Sequence, residues 1–252
     1  DELGRTDREI RSLHESTDEV LRDLGCPDSG TSFDTRGLVI GHVQSGKTQH
    51  FSALVAKAFD AGYRIVIVLS GMHNSLRNQT QRRLMRDLGC QGFPGVGRSE
   101  DPANWITWLT DLDYGDTASG DFNPGSNRSE ALGSGAKFVA VVKKHAGRLE
   151  NLNSWMAGSI PEGVPLLVID DEADQASIDT SAIDHGPGDD PDGEIPPSTI
   201  NGLVRNLLNQ ATSSTYVGYT ATPFANVLTD PDAWAEPEGA SLGLGRPAPR
   251  SA

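Results

Sequence analysis

The sequence reads Gly37-Leu-Val-Ile-Gly41-His42-Val43-Gln44-Ser45-Gly46-Lys47-Thr48 near its N-terminal end, and this segment indicates the architecture of the chain. It fits the pattern G-x-x-x-x-G-K-[ST] and lies between a short apolar run, which predicts a strand, and a helical pattern. The glycines let backbone N–H groups curl around phosphate oxygens, and the helix N-terminus adds a favourable dipole. We therefore predict a phosphate-binding loop at 41–48.

Two side chains of this loop have predicted roles. Lys47 would neutralise the β and γ phosphates of a nucleoside triphosphate, and Thr48 would hold Mg²⁺ through its hydroxyl. A glycine-rich turn without a ligand is the alternative. The flanking strand and helix favour the phosphate loop.

A second segment, Leu166-Leu-Val-Ile-Asp170-Asp171-Glu172-Ala173-Asp174, is an apolar strand pattern that ends in carboxylates. In an open parallel sheet, ligands bind at the carboxyl ends of the strands. Asp171 would hold the magnesium shell, and Glu172 would position or deprotonate the attacking water. An acidic helix N-cap is the alternative. Its occurrence together with the phosphate loop favours a catalytic pair.

Apolar runs and helical patterns alternate along the rest of the chain. Continuous β-branched runs are expected for parallel strands that are covered on both faces, and strand-helix-strand units have right-handed crossovers. We therefore predict an α/β three-layer sandwich with a mostly parallel sheet. The further predicted strands are 64–69, 137–142, 165–169 and 215–219, and the further predicted helices are 75–88, 149–156 and 199–210.

These patterns predict three regions. Residues 1–30 form an N-terminal helical appendage, because 7–24 has the spacing of an exposed amphipathic helix. Residues 31–228 form one lobe, interrupted by an insertion at about 89–135 with one short helix near Trp105 to Leu109, and by an acidic loop at about 178–197. Residues 229–252 are rich in Pro, Ala, Gly and acids, and we expect a disordered tail.

Composition excludes several classes of protein. The 252 residues carry a net charge of −14, with 35 acidic and 21 basic side chains, which argues against a chain coated for nucleic acid. Two cysteines cannot build a disulfide framework, so a reducing cytoplasm is expected. No apolar run approaches the roughly 20 residues of a membrane span.

The motifs resemble those of a known group of enzymes. Asp171-Glu172-Ala173-Asp174 is similar to the DEAD-type motif of superfamily two helicases, and Thr220-Ala221-Thr222 is similar to their Ser/Thr-Ala-Thr coupling motif. Four longer strings resemble the N-terminal ATPase part of bacterial Z-one domain proteins, endonuclease-like proteins associated with restriction and phage defence. They are 36–48, 76–81, 168–174 and 219–226, and the resemblance covers roughly 36–226.

This resemblance implies a single RecA-like P-loop NTPase lobe that uses ATP and Mg²⁺. It further implies that Thr220 and Thr222 couple hydrolysis to motion, and that Arg77 and Gln79 touch a nucleic-acid backbone, DNA being favoured over RNA. The local basic cluster of Arg77, Arg82, Arg83 and Arg86, which Lys143 and Lys144 could extend, would suit phosphate contacts. A solvated helix face is the alternative.

The resemblance also implies partners. Helicase-like hydrolysis uses arginines from a second RecA-like lobe, and no further strand-helix pattern follows Asn226. We expect a second lobe and a nuclease domain, in cis or in trans, and low activity from the isolated lobe. A catalytically idle nucleotide-binding module or a truncated gene product is the alternative. A small-molecule P-loop kinase fits less well, because the insertion supplies only Arg98 and Arg128 for a phosphate-facing lid.

Overall fold

The computed structural model describes residues 6–41, 46–89, 106–113, 120–123, 136–159, 163–174 and 197–221. The helices are α1 (Asp7–Asp23), α2 (Lys47–Asp60), α3 (Asn74–Asp87), α4 (Ala146–Ser159) and α5 (Pro197–Asn209). The strands are β1 (Asp34–Ile40), β2 (Ile65–Ser70), β3 (Ile106–Trp108), β4 (Lys137–Lys143), β5 (Leu166–Asp171) and β6 (Ser214–Thr220). A short 3₁₀ turn at Pro27–Ser29 joins α1 to β1.

These strands form a single sheet in the order β1-β6-β5-β2-β4-β3, in which every described pairing is parallel. The predicted α/β class with a mostly parallel sheet is confirmed. Parallel pairing also brings the carboxyl ends of the strands to one edge, since Ile40 pairs with Thr220 and Asp171 pairs with Tyr219. That edge holds both predicted motifs.

Alternation along the strands divides the core into two layers. Leu166 and Val168 face a cluster built with α4 and α5, and Leu167 and Ile169 face a cluster built with α2 and α3. β2 is buried along its whole length, as its continuous β-branched sequence predicts for a central strand. The sheet is therefore the middle of three layers.

The N-terminal helix α1 packs against α2, the helix that follows the predicted phosphate loop. Thr6 and Glu9 close a capping box at the start of α1. Lys57 of α2 lies 2.6 Å from an Asp18 carboxylate oxygen and also donates to the His14 carbonyl. The predicted amphipathic helix therefore stabilises the outer side of α2.

One element differs from its prediction. The segment at 106–108 is a parallel edge strand on β4 rather than the short helix expected in the insertion. Ile106 and Thr107 are β-branched, which favours a strand, but three residues are too few to show a period of two. The predicted tail at 229–252 lies outside the described residues, as does the acidic loop except for Pro197, where α5 begins.

Candidate nucleotide-binding site

The two ends of the predicted phosphate loop flank the carboxyl edge of the sheet. Gly41 follows β1, and its N–H donates to the Thr220 carbonyl at 2.9 Å. Gly46 precedes α2 with φ of +80°, a left-handed conformation that a side chain would strain. His42, Val43, Gln44 and Ser45 lie outside the described residues.

Helix α2 starts at Lys47 and has no capping side chain at Gly46. The first amides of a helix lack intrahelical partners, and the helix dipole makes this end attractive to anions. The structure thus places a helix N-terminus directly behind the loop, which is the arrangement that phosphate groups bind.

The predicted lysine and the predicted acid are neighbours. Lys47 Nζ lies 3.7 Å from Glu172 Oε1, although the two residues come from the first and fifth strand connections. The Lys47 side chain is 12% exposed and that of Glu172 is 37% exposed, so the pair lies at the mouth of the site. Lys47 of the predicted phosphate loop and the carboxylates at the end of β5 therefore lie at the same edge of the sheet.

Asp171 ends β5 beside this pair, and its surroundings disfavour a bare negative charge. The pKa of its carboxyl is raised to about 6, first by burial and then by the adjacent Glu172 charge, while the Lys144 and Lys47 charges oppose the rise. A cation at this position would relieve both effects. The electrostatics therefore suit a metal ion at Asp171.

The oxygen atoms that could act as metal ligands here also fit Mg²⁺. Thr48 supplies a hydroxyl and Asp171 a carboxylate, and Mg²⁺ is commonly bound by one or two such oxygens together with waters and substrate phosphates. Within the described ranges no cluster of three or more His, Cys, Asp or Glu side chains could cage a metal by itself. The site thus suits a magnesium ion that arrives with phosphates.

Of the two predicted coupling residues, Thr220 lies beside the predicted phosphate loop. Thr220 ends β6, is fully buried, and accepts the Gly41 N–H through its carbonyl. Thr222 lies outside the described residues. Since β6 separates β1 from β5, Thr220 lies between the phosphate loop and the carboxylates.

Arg83 reaches the site from α3, which the sequence did not predict. Its exposed guanidinium donates to Thr48 Oγ1 at 3.5 Å. From the sequence, Arg83 was assigned to a basic cluster that would contact nucleic acid. The charge of Arg83 can be read from the sequence, but the packing of α3 against α2 cannot. No local pattern links residues 48 and 83.

Arg77 conflicts with its expected contact to nucleic acid. Its side chain is fully buried, lies 2.9 Å from Asp113 Oδ1, and donates from both terminal nitrogens to the Asp111 carbonyl. A guanidinium held in this way has no face for a phosphate. Gln79 is exposed on the same helix, and its predicted contact stays a prediction.

The two lysines after β4 also differ from the expected basic track. Lys143 donates to Asn74 Oδ1 at 2.8 Å. The Lys144 side chain is fully buried, and its ammonium lies 2.7 Å from Asp170 Oδ1, in an ion pair rather than an aligned hydrogen bond. Lys144 therefore forms a buried ion pair beneath the site and is not part of an exposed basic surface.

Comparisons with known proteins give similarity only at the level of solved structures. No protein-family model matches the chain, and no curated protein matches it. A nuclease-deletion mutant of the Type ISP restriction-modification enzyme LlaGI, in complex with a DNA substrate mimic, is similar over 87% of this chain and 17% of that chain, with 15% identity and a TM-score of 0.48. The Pyrococcus furiosus Hef helicase domain is similar over 84% of this chain and 34% of that chain, with 20% identity and a TM-score of 0.42. The chain thus spans about a sixth and a third of these two proteins.

One general property of the helices is also settled for the described residues. None of the helices there combines the length and the apolar character that crossing a membrane requires.

Proposed function

We propose that this chain is a helicase-like nucleotide-binding lobe that binds ATP with Mg²⁺ and hydrolyses it slowly by itself. The observation that carries the proposal is the 3.7 Å approach of Lys47 Nζ to Glu172 Oε1 at the carboxyl edge of the sheet. A phosphate-loop lysine beside a strand-end carboxylate defines a volume with a cation on one side and a base on the other. A terminal phosphoryl group and an attacking water would enter there only as Lys47 turns from Glu172, because 3.7 Å between the two side chains leaves no room for them.

Each residue has a distinct part in this proposal. Gly46 and the first amides of α2 bind phosphate oxygens, and Lys47 turns from Glu172 to the β and γ phosphates. Thr48 and Asp171 hold Mg²⁺, which when bound neutralises charge that develops on the phosphate oxygens. Glu172, released from Lys47, orients the water and accepts its proton.

Slow turnover follows from the charges available. Stabilising the transferring phosphoryl group takes a further cation, which helicase-like enzymes obtain as an arginine from a second lobe. The exposed guanidinium of Arg83 donates to the hydroxyl of Thr48, the proposed magnesium ligand. We therefore propose that a second RecA-like lobe, and with it a nuclease domain, acts with this lobe in cis or in trans.

A DNA contact is proposed for the outer face of α3. Gln79, Arg82 and Arg86 are exposed there, in a chain whose net charge is −14. Exposed cations on an acidic protein suit local backbone contacts to phosphates. Thr220 and Thr222, next to the loop, would couple such binding to the nucleotide, and restriction or phage defence is the setting that the sequence motifs favour.

Nucleotide affinity tests the central proposal. Lys47→Ala should weaken MgATP binding, measured by calorimetry, by about ten- to hundredfold, since a charge-assisted contact contributes about 1.5–3 kcal/mol. Lys57→Ala, on the same helix but paired with Asp18, is the matched control and should retain affinity within about twofold. Equal affinity in all three proteins would refute the site. Binding without any turnover would favour the idle nucleotide-binding module.

A further inference from the structure

The backbone of Glu172 has an unusual conformation. Its φ is +59°, and it is the one residue other than glycine with positive φ among the described residues. This left-handed conformation costs a side-chain-bearing residue about 1–2 kcal/mol and persists only where neighbours hold it. The groups that hold Glu172 therefore determine where its carboxylate lies.

Two contacts fix the turn that contains Glu172. On its C-terminal side, the Ala173 N–H donates to the Tyr219 carbonyl at 2.9 Å. The Glu172 carbonyl itself accepts a hydrogen bond from the Lys144 ammonium. The second contact is a side-chain contact, so a substitution can remove it.

Lys144 reaches this carbonyl from two strands away. It follows β4, and β2 lies between β4 and β5 in the sheet. Its N–H donates to the Ser70 carbonyl at 3.2 Å, which ties its backbone to the end of β2. The side chain thus crosses the end of β2 before it meets the β5 turn.

Asp170 anchors the other side of the Lys144 ammonium. Its Oδ1 lies 2.7 Å from Lys144 Nζ, and its Oδ2 accepts a hydrogen bond from the Tyr216 hydroxyl at 2.7 Å. Both charged side chains are fully buried. Two apolar side chains of similar volume would often stabilise a fold as well as a buried ion pair does, so stability alone does not account for this pair.

From this geometry we propose that Lys144 is a positioning residue for Glu172. Held by Asp170, its ammonium keeps the Glu172 carbonyl in place, and the left-handed turn then directs the carboxylate towards Lys47 and the bound phosphates. The inference rests on the proposed ATP site and adds a residue to it. The Lys144 side chain is fully buried and donates to the Glu172 carbonyl, so it would act through Glu172 and not by contacting nucleotide or water itself.

The test uses a variant that removes both buried charges. Lys144→Met alone would strand the Asp170 carboxylate, so Lys144→Met is combined with Asp170→Asn, which still accepts the Tyr216 hydroxyl. Urea unfolding first establishes that the double variant folds. If it does not, Tyr216→Phe is measured instead, because it loosens Asp170 without changing any charge.

Two ligands separate positioning from general damage. A non-hydrolysable ATP analogue with Mg²⁺ reports the phosphate loop, and ADP with aluminium fluoride and Mg²⁺ mimics the phosphoryl group under attack by water. We expect the variant to bind the first ligand within about threefold of wild type and the second about ten- to hundredfold more weakly. Turnover should fall by a similar factor, with KM changed by less than about threefold.

The Glu172→Gln background provides the decisive comparison. If Lys144 acts through Glu172, adding the two substitutions to Glu172→Gln should cause no further loss of aluminium fluoride binding. An equal further loss, or equal losses for both ligands, would overturn the inference and leave Lys144 a structural residue. Failure of the wild-type chain to bind MgATP would instead refute the proposed function itself.

Discussion

Asp171→Asn should stabilise the chain in the absence of nucleotide and metal, although it removes a proposed magnesium ligand. Burial, and then the Glu172 charge, raise the pKa of Asp171 from 3.8 to about 6. The folded chain therefore binds this proton more tightly than the unfolded chain does. Protonation of Asp171 therefore contributes its full stabilisation of the folded chain below pH 3.8. This contribution is lost as the pH rises towards 6.

The magnitude follows from the size of the shift. A rise from 3.8 to about 6 is about two pKa units, and each unit corresponds to about 1.4 kcal/mol. Keeping Asp171 ionised in the fold thus costs about 3 kcal/mol at pH 7.5, about 1.5 kcal/mol at pH 5 and about 0.5 kcal/mol at pH 4. Asparagine has no charge to bury, so the variant should gain up to these amounts over wild type.

Urea unfolding in EDTA at pH 4, 5 and 7.5 measures this gain directly. The difference in free energy of unfolding between Asp171→Asn and wild type should increase with pH across the three conditions. Asp60→Asn, an exposed acid at the end of α2, is the control and should stay within about 0.5 kcal/mol at each pH. A pH-independent difference in free energy of unfolding, or a variant less stable than wild type at pH 7.5, would refute the inference that the ionised Asp171 carboxylate destabilises the fold.

Two further substitutions test the site and its support. Glu172→Gln should retain MgATP affinity within about threefold and lower turnover at least about a hundredfold, measured by single-turnover hydrolysis, because the amide cannot accept the proton from water; unchanged turnover would exclude Glu172 as the base. Arg77→Ala should destabilise the chain by about 3–5 kcal/mol in urea unfolding, because it leaves Asp113 with a buried, uncompensated charge. Exposed Arg82 on the same helix is its control, and a loss no greater than that of Arg82→Ala would indicate that Arg77 is not structural.

Local sequence signals predicted the parts of the fold that repeat over several turns or strand residues. The βα unit around the phosphate loop was predicted because glycine spacing, an apolar run and a helical stripe agree there. Parallel pairing then required the β1 and β5 ends to lie at the same edge, so Lys47 and Glu172 could be expected near each other. The 3.7 Å contact between them agrees with that expectation.

The order of strands and the short edge strand could not be predicted in the same way. The insertion of β6 between β1 and β5 depends on contacts between residues far apart in sequence, which no local periodicity encodes. β3 has three residues and pairs on one side only among the described strands. Propensity summed over so short a segment does not distinguish a strand from a helical turn.

The contacts of charged side chains were the least predictable part of the site. For Lys144, however, the alternation of side chains along the strands indicates the face of the sheet on which it lies. Side chains of a strand point to opposite faces in turn, so Asp170 extends the face of Leu166 and Val168. On β4 the same face carries Ala140 and Val142, and the next residue with that parity is Lys144 rather than Lys143.

An acid placed on a buried face requires a cation, because an unpaired buried carboxylate costs several kcal/mol. Asp170 precedes Asp171 and Glu172, to which the sequence assigns the magnesium and water roles, so it is left without a predicted catalytic role. Because side chains alternate between the two faces, Lys144 lies on the same face as Asp170 and can pair with it. Lys143 lies on the opposite face, where it contacts Asn74 of α3. A surplus acid at a strand end and a lysine of matching parity two strands away thus identify a buried support for the site from sequence, once the strand order is known.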